Sequence, residues 1–179
     1  MMDGMAGAEH ARAGGARPNG EARGERLGGF IYGTIVALSV VVTGARAYPE
    51  GPGHVAALVA ITTGVFWLAH VYSFSIAHSV ASNEHLSVAE VRGIARREAS
   101  IVGAAVPPVV ALLLGEVGLF RPATAFWVAL VSGLVVLAAQ GIQFARIEHL
   151  GRPATVAVVG TNVALGVVLI GLKILVGHT

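Results

Sequence analysis

The stretch HVAALVAITTGVFWLAHVYSFSIAHSV, residues 54–80, contains no Lys, Arg, Asp or Glu, and its reading decides the fold class. A helix needs about 20 apolar residues to cross a hydrocarbon layer of roughly 30 Å, and this run exceeds that. Four further apolar runs accompany it, at approximately 29–45, 100–120, 123–145 and 154–176. None alternates in polarity as a membrane strand must, which argues against a barrel and leaves helices that satisfy their own backbone. The fold expected is an all-α integral membrane protein with five transmembrane helices.

Composition agrees. The chain is 55% hydrophobic and only 12% charged, about half the charge of a soluble domain. Its 24 glycines suit helices that approach closely in lipid. There are no cysteines, so disulfides, thiolate metal sites and cysteine nucleophiles are excluded. The net charge is +2 and the pI about 9.5. The basic residues fall between apolar runs, where they orient a membrane protein rather than hold nucleic acid.

An inside N-terminus puts Arg12, Arg17, Arg23, Arg26, Arg92, Arg96, Arg97, Arg146 and Arg152 on the cytoplasmic side. Arg46, Arg121 and Lys173 then lie opposite, so the bias predicts N-in/C-out. Residues 1–28 read as a disordered basic cytoplasmic tail, and 29–179 as the five-helix transmembrane domain. A short cytoplasmic helical linker is expected at 81–99. Within it Ser87-Val88-Ala89-Glu90 has the capping-box form that starts a helix at Val88. Leu86, Val91, Ile94 and Ala95 give that helix one apolar side, suited to the membrane interface.

Ionisable and amide groups inside a bilayer are costly and therefore candidates for function. His70, His78 and His85 are spaced by about two helical turns each and share one broad face, with Phe74 between the first two and Ser73 beside it. His70 is expected near mid-membrane, and His78, Glu84 and His85 nearer the cytoplasm. Imidazoles and carboxylates bind first-row divalent ions, and histidine titrates near neutrality, so a metal or proton path is one reading. Interhelical hydrogen bonding, with His85 in solvent, is the other. Two turns separate the histidines by roughly 10–12 Å, so they serve only as successive stations and not as one ligand set.

Pro107-Pro108 removes two backbone donors from the third run and is expected to bend or break it, which can open a substrate path. Tyr32, Thr34, Gln140, Gln143 and Asn162 are the remaining intramembrane polar groups of note. Gln140 and Asn162 suit interhelical bonding.

Five runs, an inside N-terminus and a charged helical linker resemble the vacuolar iron transporter family. Ile31-Tyr32-Gly33 is similar to the aromatic-glycine start of that family's first helix, and Gly103-Ala104-Ala105-Val106-Pro107 to the Gly-x-x-x-Pro opening of its third. The resemblance departs at Val36-Ala37, where the family carries Asp-Gly, and at Trp67, His70 and Phe74, where it carries Met and Glu. The linker is also shorter, though Glu84, Glu90 and Glu98 remain.

The resemblance implies a divalent metal cation (iron, manganese or zinc) as cargo, and a homodimer in the cell membrane, the inner or plasma membrane of a prokaryote. A transporter-like protein is then expected, with His70, Ser73, His78 and Pro107 along the path. His70, His78, Glu84, His85 and Glu98 are the expected metal-collecting groups. A histidine-based membrane enzyme is the less favoured alternative, because few carboxylates lie within the runs. A non-catalytic subunit of a larger membrane complex is a third.

Overall fold

A computed structural model of the chain describes residues 18–82 and 87–176. Among these the secondary structure is entirely helical: α1 (Pro18–Ala47), α2 (Pro52–Ser82), α3 (Val88–Glu98), α4 (Ser100–Glu116), α5 (Pro122–Ile147) and α6 (Arg152–Val176). α1, α2, α5 and α6 are each long and apolar enough to cross a membrane, and α3 with α4 makes a fifth candidate bent by 43°. The chain is thus an all-helical, multi-pass membrane protein.

Residues 18–28, expected within the tail, instead form the first turns of α1. Pro18 suits a helix start, where its missing N–H costs no bond, and extending a helix already nucleated by an apolar span is cheap. Glu84 and His85 lie outside the described residues.

α1 and α4 are the axis of the bundle. α1 touches all the other helices, and α4 packs against α1, α2 and α5. Their shared core holds Leu38 and Val41 of α1, Val55 and Val59 of α2, Leu112 of α4, and Leu130 and Leu137 of α5. Close approach depends on glycine. A Cβ on Gly33 would run into the backbone of Ile101, with its Cα 2.9 Å away, so α1 and α4 meet nearly backbone to backbone. The buried Thr34 and Thr63 hydroxyls donate to the carbonyls of Phe30 (2.7 Å) and Val59 (2.8 Å) one turn earlier, which removes the cost of burying them.

The outward faces carry many large apolar side chains. On α2, Ile61, Val65, Leu68, Tyr72, Ile76 and Val80 form an exposed stripe at helical spacing. Water would penalise such a stripe, and lipid would not. α6 is the most peripheral of the four long apolar helices, with only 6% of its apolar stretch buried. The Asn162 amide ties it to α5 by donating to the Leu137 carbonyl at 3.4 Å.

The two ends of the bundle differ. Arg26, Arg92, Arg96, Arg146 and Arg152 gather at one end, because α1 begins where α3 and α6 begin and α5 finishes. Arg46 and Arg121 lie at the other. There Glu116 of α4 accepts from the Gly53 N–H at 2.8 Å, placing a carboxylate on the positive start of α2.

The Pro107-Pro108 pair corrects an expectation. α4 runs through both prolines without a break, and the chain bends by 43° before it, at Ala99. Packing against three neighbours holds the helix together.

The turns after α4 and α5 are built alike. Leu119 N–H donates to the Leu114 carbonyl and Gly118 N–H to that of Gly115. After α5, Leu150 donates to Ala145 and His149 to Arg146 in the same pattern. Both are Schellman ends, which need a left-handed residue, usually glycine. Gly118 fills that position at φ 82°, whereas the second carries His149 at φ 51°.

Candidate functional site

α3 is placed by its cap. The Ser87 Oγ accepts from the Glu90 N–H at 3.3 Å, and the Glu90 carboxylate accepts from the Ser87 N–H and hydroxyl, both at 2.7 Å. The capping box expected from the spacing is therefore formed. These bonds, first from the Ser87 backbone and then from its hydroxyl, hold the Glu90 carboxyl below its ordinary value, with a smaller contribution from His78. Trp67 of α2 donates its indole N–H to the Ala95 carbonyl at 3.0 Å, and Ile94 is buried, so the apolar side of α3 lies on α2.

Between these two helices opens a cleft of about 410 Å³, lined by Phe74, Ala77 and His78 of α2 and by Glu90, Gly93, Ile94, Arg97 and Glu98 of α3. Its position follows from the contacts nearby. Glu98 precedes Ser100, which packs on Gly29, three residues in from Arg26 on α1. The cleft therefore sits at the arginine-rich end. Glu98 is only 8% exposed, although its carboxyl group is ionisable. Burial of this kind without engagement costs several kcal/mol, and Glu98, Arg97 and His78 are all engaged in polar or electrostatic interactions.

His70 lies deeper. Its ring is 5.2 Å from that of Tyr32, which also meets Phe66 edge-on at 5.8 Å. The Nδ1 of His70 is 2.9 Å from the Phe66 carbonyl. A carbonyl only accepts, so Nδ1 carries the proton, and in the neutral ring the Nε2 lone pair is left for another partner. Tyr32 is six residues from Arg26, which puts the pair roughly 9 Å inside the arginine level, on that side of the middle of α1.

Of the residues singled out from sequence, His78 and Glu98 share the cleft, while His70 stands apart with Tyr32. Ser73 is exposed on α2 and Pro107 is half-buried within α4. Among the described residues no three of His, Asp or Glu lie close enough to hold one metal ion. Glu90 joins His78 in the cleft although its spacing marks it only as a cap. Its second role depends on how α3 folds back, which no local pattern carries.

Gln140 and Gln143 of α5 line a second cleft, of about 790 Å³, with Arg26, Leu27 and Phe30 of α1 and with Arg146, Ile147 and His149. The Gln140 Oε1 is buried and makes no hydrogen bond among the described residues. Gln140, Gln143 and Ile147 continue at helical spacing, with Arg146 beside them. That stripe is legible in the sequence as one polar edge of a span. Arg26, Leu27 and Phe30 had no such signal, because they belong to a different helix.

No protein-family model, curated protein or solved structure matches this chain.

Proposed function

We propose that the chain is a five-span protein of the cell membrane, N-terminus in the cytoplasm and C-terminus outside, that moves a divalent metal cation. In this reading α4 is the third span, α3 lies beside it at the membrane interface, and the arginine-rich end faces the cytoplasm. The observation that carries the reading is the cleft where His78 of α2 meets Glu90 and Glu98 of α3. An imidazole and two carboxylates at the mouth of an apolar bundle lower the cost of shedding water from a small cation. His70, with its Nε2 lone pair and the neighbouring Tyr32 ring, is the next station inward.

The cleft suits passage better than tight storage. Its acidic and histidine side chains do not converge to a closed ligand set, and Arg97 lines the same space. An ion here keeps much of its water and exchanges readily. Purified protein reconstituted into liposomes should carry manganese, iron or zinc into a dye-loaded lumen. His78→Ala and Glu98→Gln should each cut that flux, by roughly tenfold if one ligand is worth about 1.4 kcal/mol. Flux unchanged in both variants would remove this assignment.

A further inference from the structure

The second cleft has a different chemistry, and the proposed transport leaves it unused. Two guanidiniums, Arg26 and Arg146, and the His149 imidazole stand at its rim, and no carboxylate lines it among the described residues. Gln140 and Gln143 supply amides further in, and Leu27, Phe30 and Ile147 supply apolar walls. Gln140 lies six residues before Arg146 on α5, so the cleft reaches roughly 9 Å from the arginine level toward the interior of the bundle. The cations thus stand at the end of the helices, with Leu27 and Ile147 beside them and the Phe30 ring and the two amides deeper.

His149 adds an independent observation. The Schellman end of α5 needs a left-handed residue, and the matching end of α4 uses Gly118. A side chain in that conformation is strained, and strain retained beside a cleft points to a use for the side chain. Here the strained backbone holds an imidazole at the rim beside two arginines.

We propose that this cleft binds the phosphate of an anionic phospholipid. Arg26 and Arg146 would grip phosphate oxygens, as planar guanidiniums do. His149 and the Gln143 amide donate to the remaining oxygens, and the buried Gln140 Oε1 accepts from a headgroup hydroxyl. Phe30, one turn deeper, lies against the glycerol and upper acyl carbons, with Leu27 and Ile147 as apolar flanks of the rim. A free phosphate shares the first contacts but has nothing to offer the apolar walls, which is why the lipid is the better fit.

Native mass spectrometry of the full chain, loaded from an equimolar mixture of phosphatidylglycerol and phosphatidylcholine, tests this. Wild type should retain phosphatidylglycerol preferentially. Each of Arg26→Gln and Arg146→Gln should lower that preference by roughly fivefold, the worth of one arginine near an anionic surface. Both side chains are exposed, so the fold should survive their loss, and a thermal melt of each variant checks it. His149→Gly should separate site from scaffold, weakening lipid preference while raising the melting temperature. Equal retention of the two lipids by wild type, or a preference untouched by both arginine variants, would overturn the proposal. Inorganic phosphate abolishing the preference at millimolar concentration would also overturn it, by assigning the site to a soluble anion.

Discussion

Replacing Gly33 by Ala is the most direct test of how this bundle is held together. The added Cβ would lie 2.9 Å from the Ile101 Cα and 3.0 Å from its carbonyl carbon, and closer still to the carbonyl oxygen. Carbon atoms pack best at about 3.5–4.0 Å, so α1 and α4 must separate by roughly 0.5–1 Å. The obstacle is backbone, and no change of rotamer relieves it. Overpacking of this kind costs about 1–3 kcal/mol, against which alanine returns up to about 1 kcal/mol of helix propensity. With the full propensity gain the net expectation is a loss of about 0–2 kcal/mol. Gly64→Ala is the matched control, because nothing lies within 4 Å of its Cβ. It should be neutral or stabilising by up to about 1 kcal/mol. Unfolding by SDS titration in mixed micelles, followed by circular dichroism, compares the two. If Gly33→Ala proves as stable as Gly64→Ala, the close α1–α4 contact is not what holds these helices.

Three other outcomes follow from the contacts described. The Glu90 carboxyl is held below its ordinary value, so its contribution to the start of α3 is complete above that value and is lost as pH falls through the lowered one. Amide exchange at Val91, corrected for intrinsic rates, should accelerate through that acid window in wild type, and Glu90→Gln should abolish the step. Ser100 Oγ is buried without a hydrogen-bond partner among the described residues, so Ser100→Ala should match or exceed wild type in the same unfolding assay. A loss above about 1 kcal/mol would reveal a partner for that hydroxyl. Because the chain has no cysteine, single cysteines report topology cleanly. Glu50→Cys should react with an impermeant maleimide on intact cells, and Ala89→Cys only after lysis; the reverse order would invert the proposed orientation.

The helices were legible because lipid simplifies the code. Long runs free of charge mark spans by length alone, and the Ser87–Glu90 spacing marks a cap that forms as expected. What local pattern could not carry was angle and partnership. The prolines at 107 and 108 suggested a break that the continuous α4 does not have, and no local pattern marked the bend at Ala99, where an amphipathic helix meets an apolar one. The histidine stripe on α2 was visible, but its division into a His70–Tyr32 pair and a His78–Glu98 cleft depends on which helices stand opposite. The second cleft was half visible, since Gln140 and Gln143 announced an edge of α5 and nothing in the sequence joined them to Arg26. The bond from Gly53 to Glu116 joins helix ends 63 residues apart, which only the fold brings together.

The shortness of α4 has a consequence for the lipid itself. Its 17 residues reach about 25 Å, whereas α1, α2, α5 and α6 are all longer than the roughly 30 Å of a typical hydrocarbon layer. The bend at Ala99 turns α3 aside before the span can lengthen, and the exposed Arg92 and Arg96 resist being drawn under. Hydrophobic mismatch on this one flank is therefore met by the surrounding acyl chains, which must compress beside α4. The protein should sit more comfortably in short-chain bilayers than in long-chain ones, and reconstitution across stepped acyl lengths would read this out as a shift in stability. If an ion does enter at the His78 cleft, it starts from a locally thinned membrane, with less low-dielectric distance left to cross.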